Sequence, residues 1–211
     1  EKVLQKGPRI VALGGGTGLS NLLRGLKKFT SNITAIVTVA DDGGSSGRLR
    51  EELGMLPPGD IRNCLVALAD AEPLMKELFQ YRFSSEGHLV GHSFGNLFIA
   101  SLTEVMGDFE EAIKESSRVL AIRGQVLPAT NEDVHLGAIY SDKSVKIGES
   151  VIPDQDKKIE QVFLNPSSCR PTEDALDAIN NSEIIVIGPG SLYTSIIPNL
   201  LVEDIAESIM K

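Results

Sequence analysis

Tryptophan is absent from the 211 residues, and aromatic residues make up only 5% of them. So small a supply argues against a stacking platform for single-stranded nucleic acid. Cysteine is as scarce, with Cys64 and Cys169 the whole complement. Two cysteines cannot build a disulfide framework, and these two lack zinc spacing. Cys64 falls in the apolar stretch 61–68 and reads as a buried structural thiol, with the cytoplasm the natural compartment. Basic residues are outnumbered, 20 Lys and Arg against 29 Asp and Glu, for a net charge of −9. That balance argues against nonspecific binding to DNA, RNA or anionic membranes, but it leaves room for a local basic pocket. No apolar run reaches the length of a membrane span, and the N-terminus does not read as a signal peptide.

Glycine, by contrast, is abundant and clustered. A buried-strand run at residues 9–13 leads into Gly14, Gly15, Gly16, Thr17 and Gly18, and an amphipathic run with Leu19, Leu22, Leu23 and Leu26 follows. Strand, glycine turn and helix start together make an anion cradle, because unpaired N–H groups at a helix N-terminus face an anion. Neither common phosphate fingerprint fits. The dinucleotide pattern needs Gly where Leu19 stands, and no Lys lies where a Walker A motif needs one. The plainer alternative is a turn that only redirects the chain. Four glycines in five positions cost too much backbone entropy for that, which favours a phosphate or pyrophosphate site.

Strand and helix signals alternate along the chain, as in an α/β domain. Helix one is expected over 19–29, strand two over 33–39, a loop over 41–47 and a short helix over 48–53. Asp60 is placed to cap a helix after Pro57-Pro58-Gly59, and Ser93 to cap another that Gly107-Asp108 interrupts. Residues 84–91 read as a polar loop. Residues 133–140 and 145–147 read as a hairpin, within a small β insertion at 131–150, followed by a strand at 159–164. A buried strand at 183–187 precedes a second glycine turn, and the last helix is expected at 205–210. The expectation is a single Rossmann-like domain over 1–211, a mostly parallel sheet with helices on both faces. No strand follows the last helix, so a C-terminal continuation is expected.

Several loops should meet where ligands bind, beyond the C-terminal ends of the strands. Asp41 and Asp42 can bind Mg²⁺, hold a ribose hydroxyl or act as a base, with Ser45 and Ser46 as donors and Arg48 or Arg50 as phosphate clamp. A solvated acidic turn is the bland reading. Arg62 and Asn63, beside Asp60, lie in a first helical turn facing a ligand, although a mere Asp60 cap explains the pattern nearly as well. His92 and Asn96 flank Ser93 at another helix start, where a packed, capped helix is an equal alternative. Gly188, Gly190, Ser191 and Thr194 offer a second anion or sugar contact. Residues 131–135 are equally a ligand contact or a turn, and His88 reads as a surface residue.

Six segments in order resemble the CofD/YvcK family over nearly the whole chain. They are residues 14–18, 41–50, 57–63, 91–96, 127–134 and 188–195. One branch of that family transfers a 2-phospholactyl group from a guanosine-linked donor to a deazaflavin alcohol. The other comprises the YvcK gluconeogenesis factors, which this chain resembles more. The resemblance implies a Rossmann-like sheet and a nucleoside diphosphate ligand, such as UDP-N-acetylglucosamine. It implies a cytoplasmic regulator of growth and cell shape on gluconeogenic carbon, with no firmly attached reaction. It also implies family members that run on past residue 211. A homo-oligomer and an envelope-synthesis partner are further expectations. The alternative is a Mg²⁺-dependent transferase of the phospholactyl type.

Overall fold

The computed structural model describes residues 4–84, 86–153 and 157–211. Residues 1–3 and Ser85 of the expected polar loop lie outside them. Four parallel strands form the main sheet in the order β3-β2-β1-β7. They are β1 (Ile10–Gly14), β2 (Ile33–Val37), β3 (Gln125–Pro128) and β7 (Ile184–Ile187). Register is direct, with Leu13 beside Ile36 and Ile187. The chain moves outward from β1 through β2 to β3, then returns to place β7 on the other side of β1. The topological switch therefore falls between β1 and β7, where such sheets open a ligand crevice.

Helices flank this sheet. α1 (Gly16–Leu26) packs on α3 (Gly59–Leu68), which contacts β2 and β3, and α7 (Glu173–Asn180) packs against β3 and the C-terminal α9 (Ile205–Ile209). Leu13, Leu19, Leu23, Ile36, Ile61 and Leu65 are fully buried between these layers. Burying each such side chain contributes about 1.5–3 kcal/mol. Outside them lie α2 (Gly44–Leu53), α4 (Pro73–Gln80), α5 (Phe94–Met106) and α6 (Phe109–Val119). Phe79 of α4 packs against Phe98 of α5 in a tilted arrangement, with ring centroids 4.9 Å apart. The short α8 (Ile197–Leu200) follows the turn after β7. No described helix is long and apolar enough to cross a membrane.

A second sheet is antiparallel, in the order β5-β4-β6, from β4 (His135–Tyr140), β5 (Val145–Ile147) and β6 (Ile159–Asn165). The expected hairpin is thus present, and its third strand lies beyond residue 150. Tyr140 is its buried anchor, its hydroxyl donating to the Ile152 carbonyl at 3.1 Å.

Three element starts differ from the sequence reading. α1 begins at Gly16 rather than near Leu19, so the glycines form its first turn. α2 begins at Gly44 rather than Arg48, so the expected loop is largely helix. Glycine and serine are poor helix formers, and tertiary contacts override that preference here. Ser46 Oγ accepts from the Gly59 N–H, Ser45 Oγ meets His92 Nδ1, and any Cβ on Gly47 would strike the Asp42 carbonyl. α3 is capped at Pro58, not Asp60, whose carboxylate is thereby free to reach elsewhere.

Candidate functional site

The N-termini of α1, α2 and α3 converge beyond the C-terminal ends of β1 and β2, and two adjoining pockets open there. One, of about 140 Å³, is lined by Gly16, Thr38, Asp41, Asp60, Glu149, Thr194 and Ser195. The other, of about 240 Å³, is lined by Gly44, Ser45 and Ser46 of α2, by Gly59, Arg62 and Asn63 of α3, and by Arg82 and Asn96. Asp41 and Asp60 line both and form the partition.

The glycine turn after β1 is specialised for close approach. Gly16 has φ +63°, in the left-handed region that favours glycine. A Cβ on Gly15 would lie 2.7 Å from Asp60 Oδ2. A Cβ on Gly18 would lie 2.4 Å from the Pro189 carbonyl oxygen, so Gly18 lets α1 meet the turn after β7. Gly14 serves as an anchor, its carbonyl accepting from the Thr38 N–H and from Asn199 Nδ2. Thr17 is exposed beside the cleft.

Asp60 accepts a hydrogen bond from the Gly16 N–H. The α1 cradle is therefore met first by the chain's own Asp60 side chain. Burial pushes the Asp60 carboxyl up to about 7, with the Asp41 charge adding to the rise and the Gly16 hydrogen bond opposing it. Glu149 is raised as well, chiefly by burial and then by Asp41 and Asp42, while Thr194 donates to it and lowers it.

Asp41 and Asp42 point apart. Asp41 Oδ1 accepts from the Gly43 N–H at 2.9 Å, and its other oxygen lies 3.1 Å from where a Gly59 Cβ would stand. Asp42 Oδ1 instead accepts from the Ser150 N–H at 2.8 Å, on the turn after β5. The structure thus joins Asp41 to Asp60, and uses Asp42 to hold the turn that carries Glu149. Among the described residues no group of three or more His, Cys, Asp or Glu is arranged to hold a metal ion. Asp41 and Asp60 as a pair fit Mg²⁺, which takes one or two carboxylates and fills its other positions with phosphate and water.

The second pocket is more basic. Arg62 is 6% exposed; its Nη1 donates to Ser93 Oγ and its Nη2 to Asn63 Oδ1. Burial and the neighbouring Arg82 lower its pKa to about 10, so it stays charged at neutral pH. Asn96 Nδ2 donates to Ser45 Oγ at 3.1 Å. His92 lies behind Ser45, buried, and its pKa is lowered by burial and then by Arg48. Arg48 donates to the Val90 carbonyl at 2.7 Å, and Arg50 ties α2 to Asp133 and to the Val134 carbonyl. Neither lines the two pockets, and nor does His92.

Beyond β7, Gly188 is buried at φ +85°, while Gly190 and Ser191 are exposed. Ser191 Oγ accepts from the Thr194 N–H and starts the turn that brings Thr194 to the cleft. Sequence reasoning missed Thr38, Arg82 and Glu149, while Ser195 lay in the expected contact segment 188–195. Glu149 follows Gly148, and that glycine at φ +123° was its one local signal. Cys64 is fully buried, and His88 is exposed.

A larger groove, of about 530 Å³, lies at the opposite edge, among the starts of β1, β2 and β3 and helix α7. Asp174, Asp177 and the C-terminal end of α7 line it, which disfavours a phosphate ligand.

Fold and cleft together define an α/β protein with a polar, charged crevice at the switch point of a parallel sheet. The family model described as 2-phospho-L-lactate transferase CofD matches residues 10–211. The chain is 60% identical over 206 residues to a putative gluconeogenesis factor of Nostoc sp. (strain PCC 7120), covering 98% of this chain and 45% of that protein. It is 56% identical over 204 residues to the gluconeogenesis factor of Bacillus subtilis (strain 168), covering 97% of this chain and 64% of that one. The crystal structure of protein BH3568 from Bacillus halodurans superposes with a TM-score of 0.95 at 56% identity, covering 98% of this chain and 66% of that chain. The chain therefore belongs to the CofD family, and these relatives place it beside the gluconeogenesis factors.

Proposed function

We propose that this chain is the nucleotide-binding part of a gluconeogenesis factor, a regulator that senses a UDP-sugar and supports growth and cell shape on gluconeogenic carbon. The observation that carries the reading is the cleft at the β1/β7 switch point. Gly16, Thr38, Thr194 and Ser195 there surround the three carboxyl groups of Asp41, Asp60 and Glu149 beside a buried arginine. A nucleoside diphosphate matches that mixture. Its sugar hydroxyls suit Glu149, Thr194 and Ser195, and its diphosphate suits the helix N-termini and Arg62. Asp41 and Asp60 would hold Mg²⁺, which neutralises diphosphate charge. The names of these relatives supply the gluconeogenic role.

A second reading is a transferase acting on a diphosphate-linked donor. The family description names such an enzyme, and the Asp41–Asp60 pair suits a metal at a leaving group. Calorimetric titration with UDP-N-acetylglucosamine, GDP and NAD, each with and without Mg²⁺, separates the readings. The regulator predicts saturable UDP-sugar binding without turnover, weakened about tenfold or more in Asp41→Asn when Mg²⁺ is present. Preference for GDP, or turnover, moves the assignment to the transferase. Binding of none of the three refutes both.

A further inference from the structure

We propose that Asn199 is a positioning residue of the cleft: its buried amide holds the α1 glycine turn against the turn that carries Thr194 and Ser195, and so sets where a sugar hydroxyl can bind. The proposal rests on the nucleotide-sugar reading of the cleft, and it adds a residue that lines neither pocket.

The need for such a tie follows from the sheet. β1 and β7 stay in register only as far as Leu13 and Ile187, and the Gly188 N–H then donates to the Leu13 carbonyl. Gly14 pairs with Val37 of β2 and, among the described residues, with none of β7. Past that point the two turns meet through glycines. A Cβ on Gly190 would lie 3.0 Å from Ser195 Cβ, and one on Gly15 would lie 3.7 Å from it. Glycine permits that approach but has no side chain with which to hold it.

Asn199 of α8 supplies the hold. It is fully buried, and its Nδ2 donates to the Gly14 carbonyl at 3.1 Å and to the Ser195 carbonyl at 2.8 Å. Two carbonyls can be met only by the NH₂ end of the amide. Its Oδ1 accepts nothing among the described residues, so the side chain serves as a donor alone. Residues 192–196 form a π turn, in which the Ile196 N–H reaches five residues back to the Ser191 carbonyl and the Ile197 N–H to that of Leu192. Such turns recur at functional sites. Pro198 has no N–H and ends that register, and Asn199 follows at once with its amide on β1. Thr194 and Ser195, carried by this turn, line the 140 Å³ pocket, and Thr194 donates to Glu149. One amide therefore couples the glycine turn to the hydroxyl groups across the cleft.

The test is calorimetric titration with UDP-N-acetylglucosamine and Mg²⁺ in two backgrounds, the parent and a variant carrying Thr194→Val with Ser195→Ala. Asn199→Leu loses both donated bonds and no accepted one. In the parent it is expected to weaken binding about tenfold or more, in a chain that circular dichroism shows to be folded. In the background that already lacks the two hydroxyls, the same change is expected to cost less than about threefold, because the effects of coupled residues do not add. A merely structural tie would lower the melting temperature and leave the affinity of the folded chain unchanged. Asn199→Ala is made in parallel, since it cannot overpack the site if Leu does, and the same pattern is expected of it. Unchanged affinity in a folded Asn199 variant, or equal losses in both backgrounds, overturns the proposal and leaves the nucleotide reading standing. Absence of binding by the parent overturns both.

Discussion

Asp60 is the residue on which the cleft turns. It sits in the first turn of α3, accepts from the Gly16 N–H of α1, and faces Asp41. Its pKa rises from 3.8 to about 7, so the folded chain keeps a proton there that the unfolded chain releases near pH 4. The stability this group contributes is full below about pH 4 and is lost as pH rises through about 7. Asp60→Asn keeps an acceptor for Gly16 and removes the charge. It is expected to exceed the parent in stability at pH 8 by on the order of 1–3 kcal/mol, and to match it at pH 4. Urea unfolding at both pH values measures this, and a less stable variant at pH 8 contradicts it. From its place after Pro57-Pro58-Gly59, Asp60 reads about equally as a helix cap and as a ligand contact. Its true partner was not legible, because the contact joins residues 44 positions apart. Gly18 carries a different demand. Gly18→Ala would press a methyl group against the Pro189 backbone, and a loss of about 1–3 kcal/mol in the same assay is expected. Unchanged stability would show that the two turns can separate.

At the scale of elements, the second sheet reaches into a site built by the first. Asp42 accepts from the Ser150 N–H, and the turn so fixed carries Glu149 to Thr194. Asp42→Ala should leave the fold intact, since a partly exposed hydrogen bond contributes only about 1 kcal/mol. Amide exchange over residues 148–153 should nonetheless accelerate, and mass spectrometry reads that directly. Unchanged protection there would remove Asp42 from this role. Sequence periodicity placed most elements, including the Ser93 cap of α5 and the break at Gly107-Asp108, because those signals are local. It put the start of α2 four residues late. Ser45, Ser46 and Gly47 are helical because His92, Gly59 and the Asp42 backbone pack against them, and no local preference encodes that. The adjacency of Asp41 and Asp42 invited a shared role, but the chain leaving β2 turns their side chains apart, Asp41 toward α3 and Asp42 toward the turn after β5.

At the scale of the molecule, strand order does what no motif does alone. The sequence pattern supported a parallel α/β sheet, and the placement of β7 beside β1 sets the crevice between the two glycine turns. Acidic and basic pockets then share one partition, although the chain as a whole carries a net charge of −9. The larger groove at the opposite edge competes with this cleft by size and not by chemistry. A crystal structure of the protein with UDP-N-acetylglucosamine and Mg²⁺ therefore tests the account most directly. It should place the diphosphate among Gly16, Asp41, Asp60 and Arg62, with the sugar or ribose hydroxyls toward Glu149 and Thr194. A ligand seated instead in the 530 Å³ groove beside α7 would contradict the account.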